Sequence, residues 1–200
     1  CSLAASWQSL FSPAAETSMQ KALLLVDIQN DYFPDGAMPL VNSTEAGNNA
    51  GKLLEKFRTK DLPVIHVQHL SIRPGASFFI PGTGGAEIHD CVKPRKSEPV
   101  ILKHFPNSFR ETNLLATLRE KNITHLVIAG MMTHMCIDTT TRAAFDLGFS
   151  CTVAHDACAT KDLVFNDTVS AAIEVHHAFI AALNGLFANA RRTAEICADL

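Results

Sequence analysis

No apolar run in this chain approaches the ~18 residues that a membrane-crossing helix needs, so a membrane is not an expected partner. Basic residues are few and unclustered. The net charge is −3, and without a basic stripe nucleic acid is not an expected partner either. Charged residues make up only 18% against 47% apolar ones, which excludes a disordered chain and leaves one rich in core. The six cysteines (Cys1, Cys91, Cys136, Cys151, Cys158, Cys197) contain no C-x-x-C pair. Their scatter, in a chain long enough to build its own core, points to reduced thiols and a cytoplasmic setting. Internal repeats, low-complexity tracts and long linkers are lacking as well.

What is present alternates strand-like and helix-like segments. Buried strands are expected at 22–27, 63–70, 99–103, 124–129 and 150–154, with a weak sixth near 188–192. Helices are expected at 43–60 (with Ser43 or Thr44 as N-cap), 111–121, 136–147 and 169–183. Residues 71–98, rich in Pro, Gly and charge, read as a long surface loop, and such loops are usually functional. Continuous apolar strands alternating with helices predict an α/β fold: a three-layer, doubly wound sandwich around a mainly parallel sheet of about six strands. Residues 19–200 form the single domain in this reading. Residues 1–18 read as a flexible extension or appended leader, with Met19 as the original start; the segment lacks the basic and apolar regions of a signal peptide.

The first strand is followed by Asp27-Ile28-Gln29-Asn30-Asp31-Tyr32-Phe33-Pro34-Asp35-Gly36. A nucleotide-binding fold would place a Gly-rich phosphate loop there. Three aspartates would repel a phosphate, so no nucleotide cofactor is expected. Three chemically different side chains instead end apolar runs: Asp27, Lys103 and Cys136. At the carboxyl ends of parallel strands they describe an active site. Cys136 would lie where a strand hands over to a helix, where amide dipoles lower a thiol pKa and favour the nucleophilic thiolate.

Leu25 to Phe33, Lys103 with Asn107-Ser108-Phe109, and Gly130-Met131-Met132-Thr133-His134-Met135-Cys136 together resemble the isochorismatase-like cysteine hydrolases. That superfamily includes nicotinamidases, carbamoylsarcosine amidohydrolases and ureidoacrylate amidohydrolases. The resemblance covers about residues 20–195 and implies an Asp27–Lys103–Cys136 triad. It also implies a cis peptide joining Met131 and Met132, backbone N–H groups of Met132 and Cys136 as an oxyanion hole, and a homo-oligomer (dimer or tetramer). The implied reaction is cleavage of an amide or carbamoyl-type C–N bond of a small molecule through a thioester, with no cofactor. Relatives that hydrolyse a vinyl ether lack the cysteine, so Cys136 favours acyl chemistry. A thiol sensor, an isomerase or a binding module on the same scaffold would be the other classes.

Metal-dependent nicotinamidases carry an Asp-x-His motif after the second strand, where this chain has His69-Leu70-Ser71. His66 and His69, three apart on a strand, should face opposite ways, and His176 and His177 should diverge on a helix. None of the nine histidines is therefore expected to ligate a metal. The substrate pocket is expected to draw on Phe33, Phe78, Phe79, His104, His134, Met135 and Phe165, with Phe78 and Phe79 as a lid.

Overall fold

A computed structural model describes residues 20–200; the leader expected at 1–18 lies outside these residues. Six strands form one parallel sheet: β1 (Lys21–Val26), β2 (Val64–His69), β3 (Val100–Lys103), β4 (His125–Met131), β5 (Ser150–Ala159) and β8 (Asn189–Arg191). Their order is β3-β2-β1-β4-β5-β8. The chain winds outward from β1 to β3, then returns to start again at β4 beside β1. The β1/β4 boundary is therefore the topological switch point, where a crevice opens at the strands' carboxyl ends.

Alternation along β1 feeds two cores. Leu23 and Leu25 face α1 (Ser43–Thr59) and α5 (Thr193–Ala198), packing with Leu53, Leu54, Phe57 and Ile196. Ala22, Leu24 and Val26 face α2 (Leu114–Glu120), α3 (Asp138–Asp146) and α4 (Ala172–Leu183), packing with Leu114, Leu118, Ala144 and Leu183. Both sheet faces are covered, which is why these strands read as unbroken apolar runs. No helix among the described residues is long and apolar enough to cross a membrane.

Local departures have local causes. The second helix begins at Leu114 because Glu111 turns into the left-handed region (φ 56°). The first helix is capped by Asn42, also left-handed, and Ser43 is its first residue. β5 runs five residues beyond its expected end at Ala154, after a register shift against Ile128 and Gly130. The antiparallel hairpin β6 (Leu163–Phe165) and β7 (Thr168–Ser170) was not expected. Its signal was Asn166-Asp167, both with positive φ, between β-formers.

Away from the crevice, Glu98 ties α1 to β2. Arg58 donates to it twice at 2.8 Å, His66 Nε2 lies 3.0 Å away, and the Arg95 N–H donates at 2.8 Å. Burial alone would raise the Glu98 pKa; Arg58, Arg95 and His66 together hold it at about 2. Burial lowers the pKa of His66. Both folded-state values are depressed, so both contributions are full at neutral pH. That of His66 is lost as pH falls below ~6.5, and that of Glu98 between ~4.3 and about 2. Urea midpoints should accordingly drop on going from pH 7 to 4 and again toward pH 2. Glu98→Gln should cost about 2 kcal/mol at pH 7 and flatten the lower step; an unchanged midpoint would remove the network from the stability account.

Candidate active site

β1 ends at Val26, and Asp27 turns left-handed (φ 52°) while its N–H donates to the Val67 carbonyl at 3.0 Å. The Asp27 carboxylate is buried completely at the switch point. Next to it, β4 passes so close to β1 that a Cβ on Gly130 would lie 1.9 Å from the Val26 carbonyl oxygen. With φ at +137° as well, only glycine fits there. The Met131–Met132 peptide bond that follows is cis. Residues Thr133–Ile137 then form a single π-helical turn, closed by the Ile137 N–H on the Met132 carbonyl at 3.2 Å, before α3 begins. Cys136 sits in this turn, 5% exposed. The expected helix at 136–147 is thus a π-turn joined to a shorter α-helix.

Lys103, the last residue of β3, is 1% exposed. Its Nζ lies 2.6 Å from Asp27 Oδ2 and 3.2 Å from Cys136 Sγ, so the three residues singled out from the sequence converge on one ammonium group. The same Nζ is 3.1 Å from His69 Nδ1 and 3.1 Å from the Phe105 carbonyl. An ammonium carries three N–H donors, and here it faces four acceptors. Because lysine donates, His69 Nδ1 accepts, and the ring proton is on Nε2.

The electrostatics correct the expected thiolate. Burial and then the Asp27 carboxylate push the Cys136 thiol pKa up, against the opposing pull of Lys103. Burial would lower the Lys103 pKa, but Asp27 and the Cys136 sulfur outweigh it and raise it. The resting centre is therefore a neutral thiol beside a carboxylate–ammonium pair. Dipoles of a helix start do not offset desolvation this complete. Burial lowers the His69 pKa to about 4, with Asp27 opposing and Lys103 adding to the effect, so the imidazole is neutral at pH 7.

His69 is the member that sequence reasoning missed. Period-two alternation separated it from His66 correctly: His66 turns to Glu98, while His69 ends β2 opposite Lys103 in register. Buried Gln29 fixes it by gripping its backbone, accepting from the His69 N–H at 2.8 Å and donating to its carbonyl at 2.9 Å. The Gln29 amide also donates to the Ala86 carbonyl at 2.7 Å, joining the long loop to the site.

Asp31 anchors that loop from the other side. Its Oδ2 accepts the Phe79 N–H at 2.6 Å, holding Phe79 in a left-handed conformation (φ 56°) that an aromatic residue rarely adopts. Phe79 is buried against Tyr32 (ring centroids 4.5 Å apart), Phe78 (5.0 Å) and His69 (5.9 Å). Tyr32 was not anticipated. It is 2% exposed, and its phenol pKa is raised by burial first and then by the charges of Cys136, Asp27 and Asp31.

The other residues expected in the pocket are dispersed. Phe33 stacks on His89 at 3.6 Å beneath α1. His104 donates from Nδ1 to the Leu70 carbonyl at 2.8 Å. His134 turns to the Thr160 hydroxyl at 2.6 Å and to Phe179. Met135 is 37% exposed. Phe165 does not join the aromatic cluster: it is 78% exposed, because the hairpin carries β6 away from the domain's cores.

Asp27, His69 and Cys136 each offer a ligand atom, and these atoms lie within 4.8 Å of one another. Alternation along β2 had not brought His69 to Asp27 and Cys136; its place opposite Lys103 at the end of the strand does. The Lys103 ammonium touches all three residues, however, and so already supplies a positive charge at their centre.

Residues 21–195 match the model of the isochorismatase domain. The chain belongs to the isochorismatase family of hydrolases. Among its relatives is an uncharacterised isochorismatase family protein, YddQ, of Bacillus subtilis (strain 168), 51% identical over 88% of this chain and 97% of its own. A crystal structure of an isochorismatase-hydrolase candidate from Oleispira antarctica superposes with a TM-score of 0.88 at 49% identity, over 90% of this chain and 97% of that one. A streptothricin hydrolase of Streptomyces noursei is 35% identical over 76% of this chain and 56% of its own length. The six-stranded parallel sheet between helices is thus the family's architecture.

Proposed function

We propose that this family hydrolase cleaves an amide or carbamoyl-type C–N bond of a small molecule by covalent catalysis at Cys136. The observation that carries the reading is the convergence of a buried thiol, carboxylate and ammonium within 3.2 Å of Lys103 Nζ. The thiol is protonated at rest and has a carboxylate beside it, so Asp27 is the base that takes its proton as sulfur attacks the carbonyl carbon. The carbonyl oxygen gathers negative charge as the C–S bond forms, and the backbone N–H groups of Met132 and Cys136 are the proposed donors to it. Asp27 then returns the proton to the leaving nitrogen, the C–N bond breaks, and ammonia or an amine departs from a thioester. Water attacks the thioester with Asp27 again as base, releasing the acid and restoring the thiol. Lys103 pairs with the Asp27 carboxylate and favours the thiolate as it forms.

A thiol-sensor reading fits less well, since sensor cysteines are low-pKa and accessible, whereas Cys136 is buried and its thiol pKa is raised. Tyr32, Phe78 and Phe79 form an aromatic cluster that reaches His69 beside Lys103, which favours a small, partly apolar substrate. A panel of small primary amides, ureido acids and N-carbamoyl compounds, screened for ammonia or amine release, tests the class. Turnover of none of them, with turnover of a vinyl ether, would overturn it.

The proposed cycle needs no Lewis acid, because Lys103 supplies the positive charge and Asp27 moves the proton. Activity should therefore survive prolonged treatment with a strong chelator. Loss on chelation, restored by zinc, iron or manganese, would return a nicotinamidase-like metal mechanism with His69 as the first ligand to test.

A further inference from the structure

Three contacts fix the His69 ring, and none of them uses its second nitrogen. Gln29 grips the backbone at two points, accepting from the N–H at 2.8 Å and donating to the carbonyl at 2.9 Å. The buried Phe79 ring, anchored through its backbone N–H to Asp31, has its centre 5.9 Å from that of the imidazole. Lys103 Nζ lies 3.1 Å from Nδ1 and has only hydrogens to offer, so Nδ1 accepts and the ring proton is held on Nε2. That N–H has no hydrogen-bond partner among the described residues. His69 is half-buried, and its Nε2, unlike the Nδ1 of His66 and of His125, is not shut away from solvent. Burial holds the pKa at about 4, so the ring brings one N–H and no charge. It lies close to the nucleophile: Asp27, His69 and Cys136 offer side-chain atoms within 4.8 Å of one another.

We propose that the His69 Nε2–H is a substrate-holding donor, which takes a second oxygen of the substrate, distinct from the one that becomes the oxyanion. The oxyanion has its proposed donors in the Met132 and Cys136 N–H groups. Lys103 cannot serve the second oxygen, because its three N–H hydrogens already face four acceptors. Asp27 is an acceptor itself and would repel it. The substrate class that follows is a small amide carrying a further carbonyl or carboxylate oxygen close to the scissile carbon. No proton moves: the bond from Lys103 locks the tautomer, and the N–H stays on the ring. Such a contact is made equally to bound substrate and to the transition state, so its loss appears in KM more than in kcat. The assignment of a substrate rests on acyl chemistry at Cys136; the position and direction of the donor do not.

Two variants separate the ring's two nitrogens. In His69→Asn the amide oxygen stands near the place of Nδ1 and still accepts from Lys103, but nothing reaches the place of Nε2. In His69→Gln the amide N–H reaches that place. With the most active amide of the panel, His69→Asn should raise KM about tenfold, the scale of one hydrogen bond, with kcat within about threefold, and His69→Gln should restore KM. Compounds with a further carbonyl and compounds with a carboxylate, each beside an isostere lacking that oxygen, show which source is held: only the held one should lose the advantage over its isostere in His69→Asn. The reverse order, with His69→Asn normal and His69→Gln impaired, would make His69 a positioning residue for Lys103 and overturn the proposal. An alkylation arm needs no turnover, so its failure is distinct from failure of the amide-hydrolysis reading. Iodoacetamide carries a carbonyl oxygen and methyl iodide carries none, and the ratio of their rates at Cys136 cancels any change in thiolate fraction. That ratio should fall about fivefold in His69→Asn and not in His69→Gln; an unchanged ratio in His69→Asn would overturn the assignment. If neither variant folds, nitrogen-15 spectra of the wild-type histidines decide it. His69 should be the Nε2–H tautomer at pH 7, and an Nδ1–H tautomer or a charged ring would refute the donor.

Discussion

Replacing Cys136 with alanine is expected to reduce hydrolysis by about 10⁴-fold or more, the scale on which covalent enzymes respond to loss of the nucleophile. The fold should survive. The change removes one sulfur from a π-turn closed by backbone hydrogen bonds, chiefly that of the Ile137 N–H on the Met132 carbonyl. Far-ultraviolet circular dichroism and the urea midpoint are the controls. A Cys136→Ala variant with near-normal turnover would end the covalent account.

Asp27→Asn should separate two properties that a merely structural role would move together. Asparagine keeps the shape but cannot take the thiol proton, so hydrolysis should fall by about 10³-fold. The same change removes a carboxylate that pushes the Cys136 thiol upward, so the thiol pKa should drop and iodoacetamide should alkylate Cys136 faster at neutral pH. Activity and alkylation thus move in opposite directions. Lys103→Met has the reverse electrostatic sign, because Lys103 is the group that opposes the rise; its alkylation should slow. Parallel loss of both properties in Asp27→Asn would refute Asp27 as base and leave it a structural residue.

The residues that end strands were legible in the sequence, and the contacts between loops were not. Asp27 and Lys103 follow apolar runs and Cys136 lies shortly after another, and a doubly wound sheet gathers such ends at one edge whatever the loop details. His69 was misjudged for a geometric reason. Alternation assigns faces along a strand, but at the carboxyl end the neighbours are the ends of adjacent strands, and β2 meets β3 there with His69 opposite Lys103. The thiol pKa was misjudged because proximity to a helix start can be read from order along the chain, whereas desolvation depends on distant residues. Asp31 and Phe79 meet across 48 positions, and no local pattern announces that contact. Tyr32 was passed over for its neighbour Phe33, although the short turn at Asn30–Tyr32 buries Tyr32 beside Phe79 and leaves Phe33 stacked on His89. The 163–170 hairpin did have a local signal, and reading a helix from Val169 obscured it.

The central claim is that a substrate acyl group passes through the sulfur of Cys136. Intact-mass and peptide mass spectrometry of wild-type protein, acid-quenched within a few turnovers of the most active amide in the panel, tests it most directly. The account predicts one adduct per chain, with the mass of the substrate less its leaving amine, on the peptide containing Cys136 and released by hydroxylamine. An adduct on another residue, or turnover whose quenched samples never carry one even when hydrolysis of the thioester is slowed by low temperature, would contradict it.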